Sequence, residues 1–342
     1  MPPLPVLVTG GAGYIGSHVA RALLEAGFAV TVLDDLSQGH AAAVPGGAGL
    51  VIGDVADEAL LDRLFTRCRF HAVMHLAGRS LVGESMRDPF PYLEGNTTGG
   101  IRLIRACARH GVTRFVLSST MNLFEAAGDD PIGEAAPIRP ASPYGEGKAF
   151  LERSLAWAEA AAGIRSACLR YGNVAGAHPD GDMGEDHAPE THLIPILLEV
   201  AAGRRRAVEI FGDDFPTADG TCIRDYIHVC DVAGAHLRVL DLLDRRSCRY
   251  NVGTGTGHSV RSVLETARRV TGHPIPARIS PRRPGDPPSL VADPGLMVRD
   301  LGWSPRLSDL DTIIATAWNW RRRHPEGYAS RAPRAAAAGT LS

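Results

Sequence analysis

Short runs of Val, Leu, Ile and Ala recur through the first 120 residues, and between them lie longer stretches whose apolar residues return every three or four positions. "PVLVTG", "AVTVLD", "AGLVIGD", "AVMHLAG" and "RFVLSST" have the length and β-branched content of buried strands. "SHVARALLEAG", "EALLDRLFTRC" and "TTGGIRLIRACARHG" have helical periodicity. Such alternation predicts βαβ units and an α/β fold with a doubly wound parallel sheet and helices on both faces. Further on, "GIRSACLRYGN" reads as a strand, and "DYIHVCDVAGAHLRVLDLL" as a short strand followed by a helix that Asp231 is placed to cap.

Residues 177–225 break this rhythm, being rich in Gly, Pro, Asp and His around one helix at "LIPILLEVAAG". A second irregular stretch, "SPRRPGDPPSLVADPG", follows the helix "SVRSVLETARRVTG". The two predict a smaller mixed α/β lobe made of discontinuous segments. The expected division is 1–176 with 227–258 for the sheet domain, and 177–226 with 259–330 for the lobe. Residues 331–342 have no packing pattern and are expected to be disordered.

With 342 residues, 44% of them hydrophobic and 22% charged, the chain is suited to a globular fold. A formal net charge of −2 gives no reason to expect nucleic acid or an anionic membrane as a partner. Cys68, Cys107, Cys168, Cys222, Cys230 and Cys248 are scattered, without the close pairing of a zinc site or redox dithiol. Together with the lack of a membrane-length apolar run, this predicts a soluble cytoplasmic protein and no metal.

"VLVTGGAGYIGSHVARALLEAG" sets Gly10, Gly13 and Gly16 between a strand and a helix. Glycines there permit a tight turn and close approach of backbone to a pyrophosphate, which the helix N-terminus then attracts. Asp34 ends the next strand, where a carboxylate accepts hydrogen bonds from ribose hydroxyls and repels a 2′-phosphate. NAD is therefore expected rather than NADP. Asp54, after the third strand, is placed either to reach the adenine or to cap a turn.

"SPYGEGK" puts Tyr144 four residues before Lys148, on one face of a helix. A phenol of ordinary pKa about 10 is scarcely ionised at neutral pH. An ammonium about 4 Å away, at an effective dielectric near 20, contributes roughly 4 kcal/mol, or about three pKa units, toward the phenolate. Ser118, Ser119 and Thr120 end a strand just upstream.

"TGGAGYIGSH", "AGRSLVGES", "SST", "YGEGK", "RYGNVAGAHPDGDMGED", "IFGDDFPTADGTCIRDYIHVCD", "YNVGTGTGHSV", "RRPGDPPSLVAD" and "LGWSP" together resemble, in order and spacing, the UDP-glucose 4-epimerases of the extended short-chain dehydrogenase/reductase superfamily. The resemblance spans residues 4 to 328 and implies a Rossmann domain, tightly held NAD, a UDP-sugar substrate and a homodimer. It implies cofactor contacts at Gly10, Gly13, Tyr14, Ile15, Gly16, Asp34, Asp54, Val55, Ala77, Asn96, Tyr144 and Lys148. Tyr144 would take the proton from the sugar 4-hydroxyl, Lys148 would hold the nicotinamide ribose, and Thr120 would bond the reacting oxygen. Substrate contacts are implied for Ser119, Thr120, Asn173, His192, Leu193, Phe211, Arg224, Arg283, Asp286 and Leu290. Arg224 and Arg283 fall at the diphosphate positions and Phe211 at the uracil position, while Asp225 and Asp286 are expected to orient the arginines or cap turns.

The chain departs from the family pattern at several positions. Met121 and Asn122 replace small residues, Phe124 and Glu125 replace Tyr-Gly, and Gly172 replaces a phenylalanine. His192 stands where an asparagine contacts the substrate phosphates, Ser80 after Arg79 where many members have a cofactor-binding lysine, and Leu290 at the sugar-pocket gate. The smaller gate leaves room for UDP-N-acetylhexosamines, and a UDP-pentose would need no different catalytic group. A dehydratase would carry acidic residues where Met121 and Asn122 stand. The alternative outside enzymes is a catalytically silent NAD-binding sensor or scaffold.

Overall fold

The computed structural model describes residues 2–125, 130–283 and 286–330; the tail expected to be disordered lies outside them. Strands β1 (Pro5–Thr9), β2 (Ala29–Asp34), β3 (Gly49–Ile52), β4 (Ala72–His75), β5 (Arg114–Thr120) and β6 (Arg165–Tyr171) enter one sheet in turn. After β7 (Asn173–Ala175), β8 (Val208–Phe211) and β9 (Ile223–His228), which lie outside it, β10 (Cys248–Val252) completes its far edge. The order is β3-β2-β1-β4-β5-β6-β10, and every neighbouring pair is parallel. The chain thus winds outward in both directions from β1 and β4. This reversal opens a crevice at the carboxyl ends of those two strands.

Helices α1 (Tyr14–Glu25), α2 (Glu58–Arg67), α3 (Val82–Arg87), α4 (Asn96–His110) and α5 (Pro143–Ala162) precede α6 (Leu193–Ala201) and α7 (Val229–Arg238). Alternation along each strand feeds two cores. Val6 and Val8 pack with Val19 and Leu23 of α1 and Val232 of α7, while Leu7 faces Leu61 of α2, Leu103 of α4 and Leu151 of α5. The apolar stripes of α4 and α5 are accordingly spent on the sheet.

The second lobe adds α8 (Val260–Thr271), α9 (Gly295–Leu301) and α10 (Leu310–Arg323), with β11 (Gly257–Ser259), β12 (Ala277–Ser280) and β13 (Ser289–Leu290). Its core joins Leu197, Val208, Ile210, Val263 and Ile313. β9 pairs with β7, β11 and β13, and β8 pairs with β12. One stretch crosses the expected division, because Met297 of α9 and Trp303 pack with Tyr250 and Val252 in a sheet-domain core. Among the described residues no helix is long and apolar enough to cross a membrane.

Asp231 does not cap α7. His228 takes that position, its side chain accepting from Cys230 N at 3.1 Å, whereas Asp231 accepts from Arg306 N, Leu307 N and Ser308 Oγ at 3.0, 2.8 and 2.6 Å. A carboxylate in the first turn met three donors from another segment, and those outweighed a local cap.

Candidate active site at the sheet switch point

The loop after β1 sits in the crevice. Gly10 has a φ of 73°, and a Cβ there would lie 2.4 Å from Ala77 N in the loop after β4. A Cβ on Gly16 would lie 2.0 Å from Gly10 O, so the helix can approach the strand this closely only with glycine. Gly13 is the extended N-cap of α1, which leaves the N–H groups of Tyr14, Ile15 and Gly16 without intrahelical partners and suited to a pyrophosphate. Asp34 braces the same loop, accepting from Ala12 N and Leu36 N, each at 2.9 Å. Its remaining lone pairs suit ribose hydroxyls. This donor and acceptor set fits NAD.

Other expected cofactor residues also hold the surrounding loops in place. Asn96 accepts from Arg79 N at 2.8 Å and donates to Arg79 O at 2.9 Å, fixing the loop that carries Ala77. The Tyr14 hydroxyl donates to Gly176 O at 2.6 Å, so the ring ties α1 to the segment after β7. Asp54 caps a turn, its Oδ1 accepting from Ala56 N at 2.8 Å, and Val55 packs against α4 at Gly99.

Ser142 caps α5 by accepting from Gly145 N at 3.1 Å, with Pro143 in the first helical position. Such a cap is worth about 1 kcal/mol. A Cβ on Gly145 would come within 2.6 Å of Asn122 O, so glycine is what lets the helix start press against the turn after β5. This brings Tyr144 to Thr120, whose hydroxyl favours the ionised phenol. Lys148 Nζ donates to Ser118 O at 2.8 Å.

The Tyr144 pKa is raised rather than lowered. Burial pushes the phenol up to about 12, with Thr120 pulling it back, and burial pushes Lys148 down to about 8. Desolvation of two groups that are 8% and 4% exposed disfavours the charged form of each.

Ser119 also departs from expectation. It is 1% exposed and donates 2.6 Å to Glu152, which forms a buried ion pair with Arg170 at 2.6 Å; the alternation of β5 turns it away from Thr120. This pair was not legible in the sequence, because nothing local marks a glutamate on a helix as buried.

On the substrate side, Asn173 opens β7 and Phe211 ends β8. The Arg283 guanidinium lies 3.9 Å from the centroid of the Phe211 ring. Arg224 donates to Pro287 O at 2.9 Å and pairs with Asp286 at 3.2 Å, as expected of an orienting carboxylate. Asp225 instead caps the turn at Thr254, accepting from its N–H and hydroxyl. Leu290 is buried with Met121, Leu123 and Phe124, so the altered residues after Thr120 and the altered gate form one apolar cluster. Gly172 is exposed, and the missing aromatic leaves open space beside Asp225 O. His192 is the N-cap of α6, preceding Leu193, and its Nδ1 lies 2.9 Å from Glu190 and 3.0 Å from Glu185. Those carboxylates push it up to about 10.

Residues 6–253 match the NAD dependent epimerase/dehydratase family. The chain is 48% identical over 329 residues to a UDP-glucose 4-epimerase of Halalkalibacterium halodurans, covering 96% of this chain and 98% of that one. A UDP-glucose 4-epimerase crystal structure superposes with a TM-score of 0.92 at 45% identity, covering 95% of this chain and 99% of the other. The Brucella ovis UDP-glucose 4-epimerase in complex with NAD gives 0.89 at 44% identity, covering 92% and 97%. By fold, site geometry and full-length similarity, the chain belongs to the UDP-glucose 4-epimerases of the NAD dependent epimerase/dehydratase family.

Proposed function

We propose that this protein interconverts UDP-glucose and UDP-galactose at C4 of the sugar, with NAD as its resident cofactor and Thr120, Tyr144 and Lys148 as its catalytic residues. The observation that carries the reading is the meeting of these three side chains beside the crevice that holds the glycine loop. Bound NAD supplies the acceptor and then the donor of the C4 hydride.

Tyr144 takes the proton of the sugar 4-hydroxyl and gives one back when the 4-keto sugar is reduced on its other face. Thr120 donates to the oxygen on which charge develops. Lys148, held by Ser118 O, presents its ammonium to the phenol and the nicotinamide ribose. Arg224 and Arg283 grip the diphosphate, because planar guanidinium forks match phosphate oxygens, and Asp286 keeps Arg224 in position. Phe211 offers its face to the uracil, and Asn173, His192 and Leu193 border the phosphates and sugar.

We assign NAD binding to residues 1–176, 227–258 and 295–303, and sugar-nucleotide binding to the remaining described segments. A homodimer through α4 and α5 is supported by Phe150 and Trp157, seven residues apart on one face, 43% and 77% exposed. Six free cysteines support a reducing, cytoplasmic setting.

The test is turnover of UDP-galactose, UDP-N-acetylgalactosamine and UDP-arabinose by the purified protein, with and without Tyr144→Phe. Interconversion of UDP-galactose without net NADH, reduced at least a hundredfold by Tyr144→Phe, is expected. Full activity of that variant would remove Tyr144 as the base. Tight NAD binding with no turnover of any sugar would make the chain a sensor.

A further inference from the structure

The segment "GEDHAPETH" passes Tyr14 at the head of α1, leads into α6, and gathers Glu185, His187, Glu190 and His192. One ligand atom from each lies within 4.8 Å of the other three. Both carboxylates are buried, at 8% and 4% side-chain exposure. Both imidazoles turn Nδ1 inward, at 3.2 and 3.0 Å from Glu185 Oε1. His192 Nδ1 lies 2.9 Å from Glu190 Oε1, and His187 Nδ1 lies 3.7 Å from Glu190 Oε2.

Four ligands at 2.0–2.1 Å around a tetrahedral ion stand about 3.3 Å apart along each edge. Three separations that share Glu185 Oε1 and Glu190 Oε1, at 2.9, 3.0 and 3.2 Å, lie near that value. His187 Nδ1 is buried and lacks a hydrogen bond of proper alignment, as a nitrogen whose lone pair faces a common centre would. Glu190 Oε1 is fixed by the N–H groups of Thr191 and His192, each at 2.8 Å, which is the outer support that metal carboxylates need.

We infer that Glu185, His187, Glu190 and His192 form a tetrahedral site for one divalent transition ion, best matched by Zn2+. Two imidazoles with two carboxylates suit zinc, whereas magnesium and calcium take oxygen ligands. Two buried carboxylates balance the charge of one such ion. The expectation of no metal, drawn from the spacing of cysteines, did not weigh this His/Glu segment.

The second His/Asp group, His178 with Asp180 and Asp182, is different. Arg21 already bridges its two carboxylates, at 2.5 and 2.7 Å, and Asp180 is largely exposed.

The ion would have a structural task. The His187 ring meets Tyr14 edge-on at 6.4 Å, next to the glycine loop, and His192 is the N-cap of α6. Ligation through Nδ1 leaves His192 Nε2 as a donor toward the substrate diphosphate. This last role rests on the proposed function; the metal site does not.

The full-length protein is treated with chelator, dialysed and titrated with Zn2+ by calorimetry, with metal content measured by mass spectrometry. One equivalent per chain is expected, with a rise of several degrees in Tm. His187→Ala/His192→Ala is expected to lose that equivalent, and His178→Ala to keep it. Cobalt-loaded wild-type protein should show the intense visible absorption of four-coordinate Co2+, a reading that needs no variant. Absence of zinc uptake by the wild type, an unchanged stoichiometry in the double variant, or the weak spectrum of six-coordinate cobalt would each overturn the site. The cluster would then be a pair of histidine–carboxylate ion pairs. Neither result depends on sugar turnover.

Discussion

Asn122 donates twice to the hydroxyl oxygen of Thr120, from its backbone N–H and from its side-chain amide, each at 3.1 Å. With both lone pairs engaged, the Thr120 proton is left to donate outward, toward Tyr144 and the reacting oxygen. Asn122→Ala removes one of the two donors. It is expected to lower kcat about tenfold, as for a loss of roughly 1.4 kcal/mol, with KM little changed. The rise of activity with pH should also move to higher pH, because Thr120 helps to hold the Tyr144 pKa down. Steady-state kinetics across pH checks both.

Lys148 contributes to the site at a cost to the fold. Its folded value of about 8 lies below the ordinary 10.5, so the unfolded chain binds the extra proton between those values and stability rises with pH across that window. At pH 7 the burden is about 3 kcal/mol, offset by about 1 kcal/mol from the bond to Ser118 O. Lys148→Met should therefore unfold at a higher urea concentration at pH 7 while losing at least a hundredfold in kcat.

His236 is fully buried, bonds Val232 O through Nδ1 at 2.9 Å, and has no partner for Nε2 among the described residues. Burial pushes it down to about 4. Its neutral form contributes stability that is present above the unfolded value of about 6.5 and is lost as pH falls toward 4. Near pH 5 this amounts to about 2 kcal/mol. His236→Phe should show a shallower fall of Tm between pH 7 and pH 5 than the wild type, by calorimetry.

The Glu152–Arg170 pair lies beneath the site at 2% and 1% side-chain exposure. Glu152→Ala strands a buried guanidinium and should destabilise by about 3–5 kcal/mol. Glu152→Leu with Arg170→Met should recover most of that, as read by urea denaturation.

The strands β1, β2, β4 and β5 were legible because their buried runs are local and bounded by glycine or acidic residues. Tyr144 and Lys148 were legible because helical periodicity alone puts residues four apart on one face. β8, β12 and β13 were not, since β13 has only two residues and β8 and β12 mix exposed positions among few apolar ones, leaving no continuous buried run. α10 was likewise missed, though its N-cap Asp309 accepts from Thr312 N at 2.8 Å. The spacing of Glu185, His187, Glu190 and His192 stood in plain view, but nothing in spacing says that a loop folds its ligands inward.

Sequence by itself determined the winding of the sheet, the glycine cradle, the preference for NAD and the tyrosine–lysine pair, because periodicity and local sterics act over a few residues. The tertiary structure decided the direction of the Tyr144 shift, the turning of Ser119 away from the site, the clamp of Asn122 on Thr120 and the joining of Met121 to Leu290. The Tyr144 shift depends on burial, the burial of Ser119 against Glu152 and the Met121–Leu290 cluster on segments far apart in the chain, and the Asn122 clamp on the turn the fold imposes after β5; desolvation is a property of the packed fold rather than of any residue.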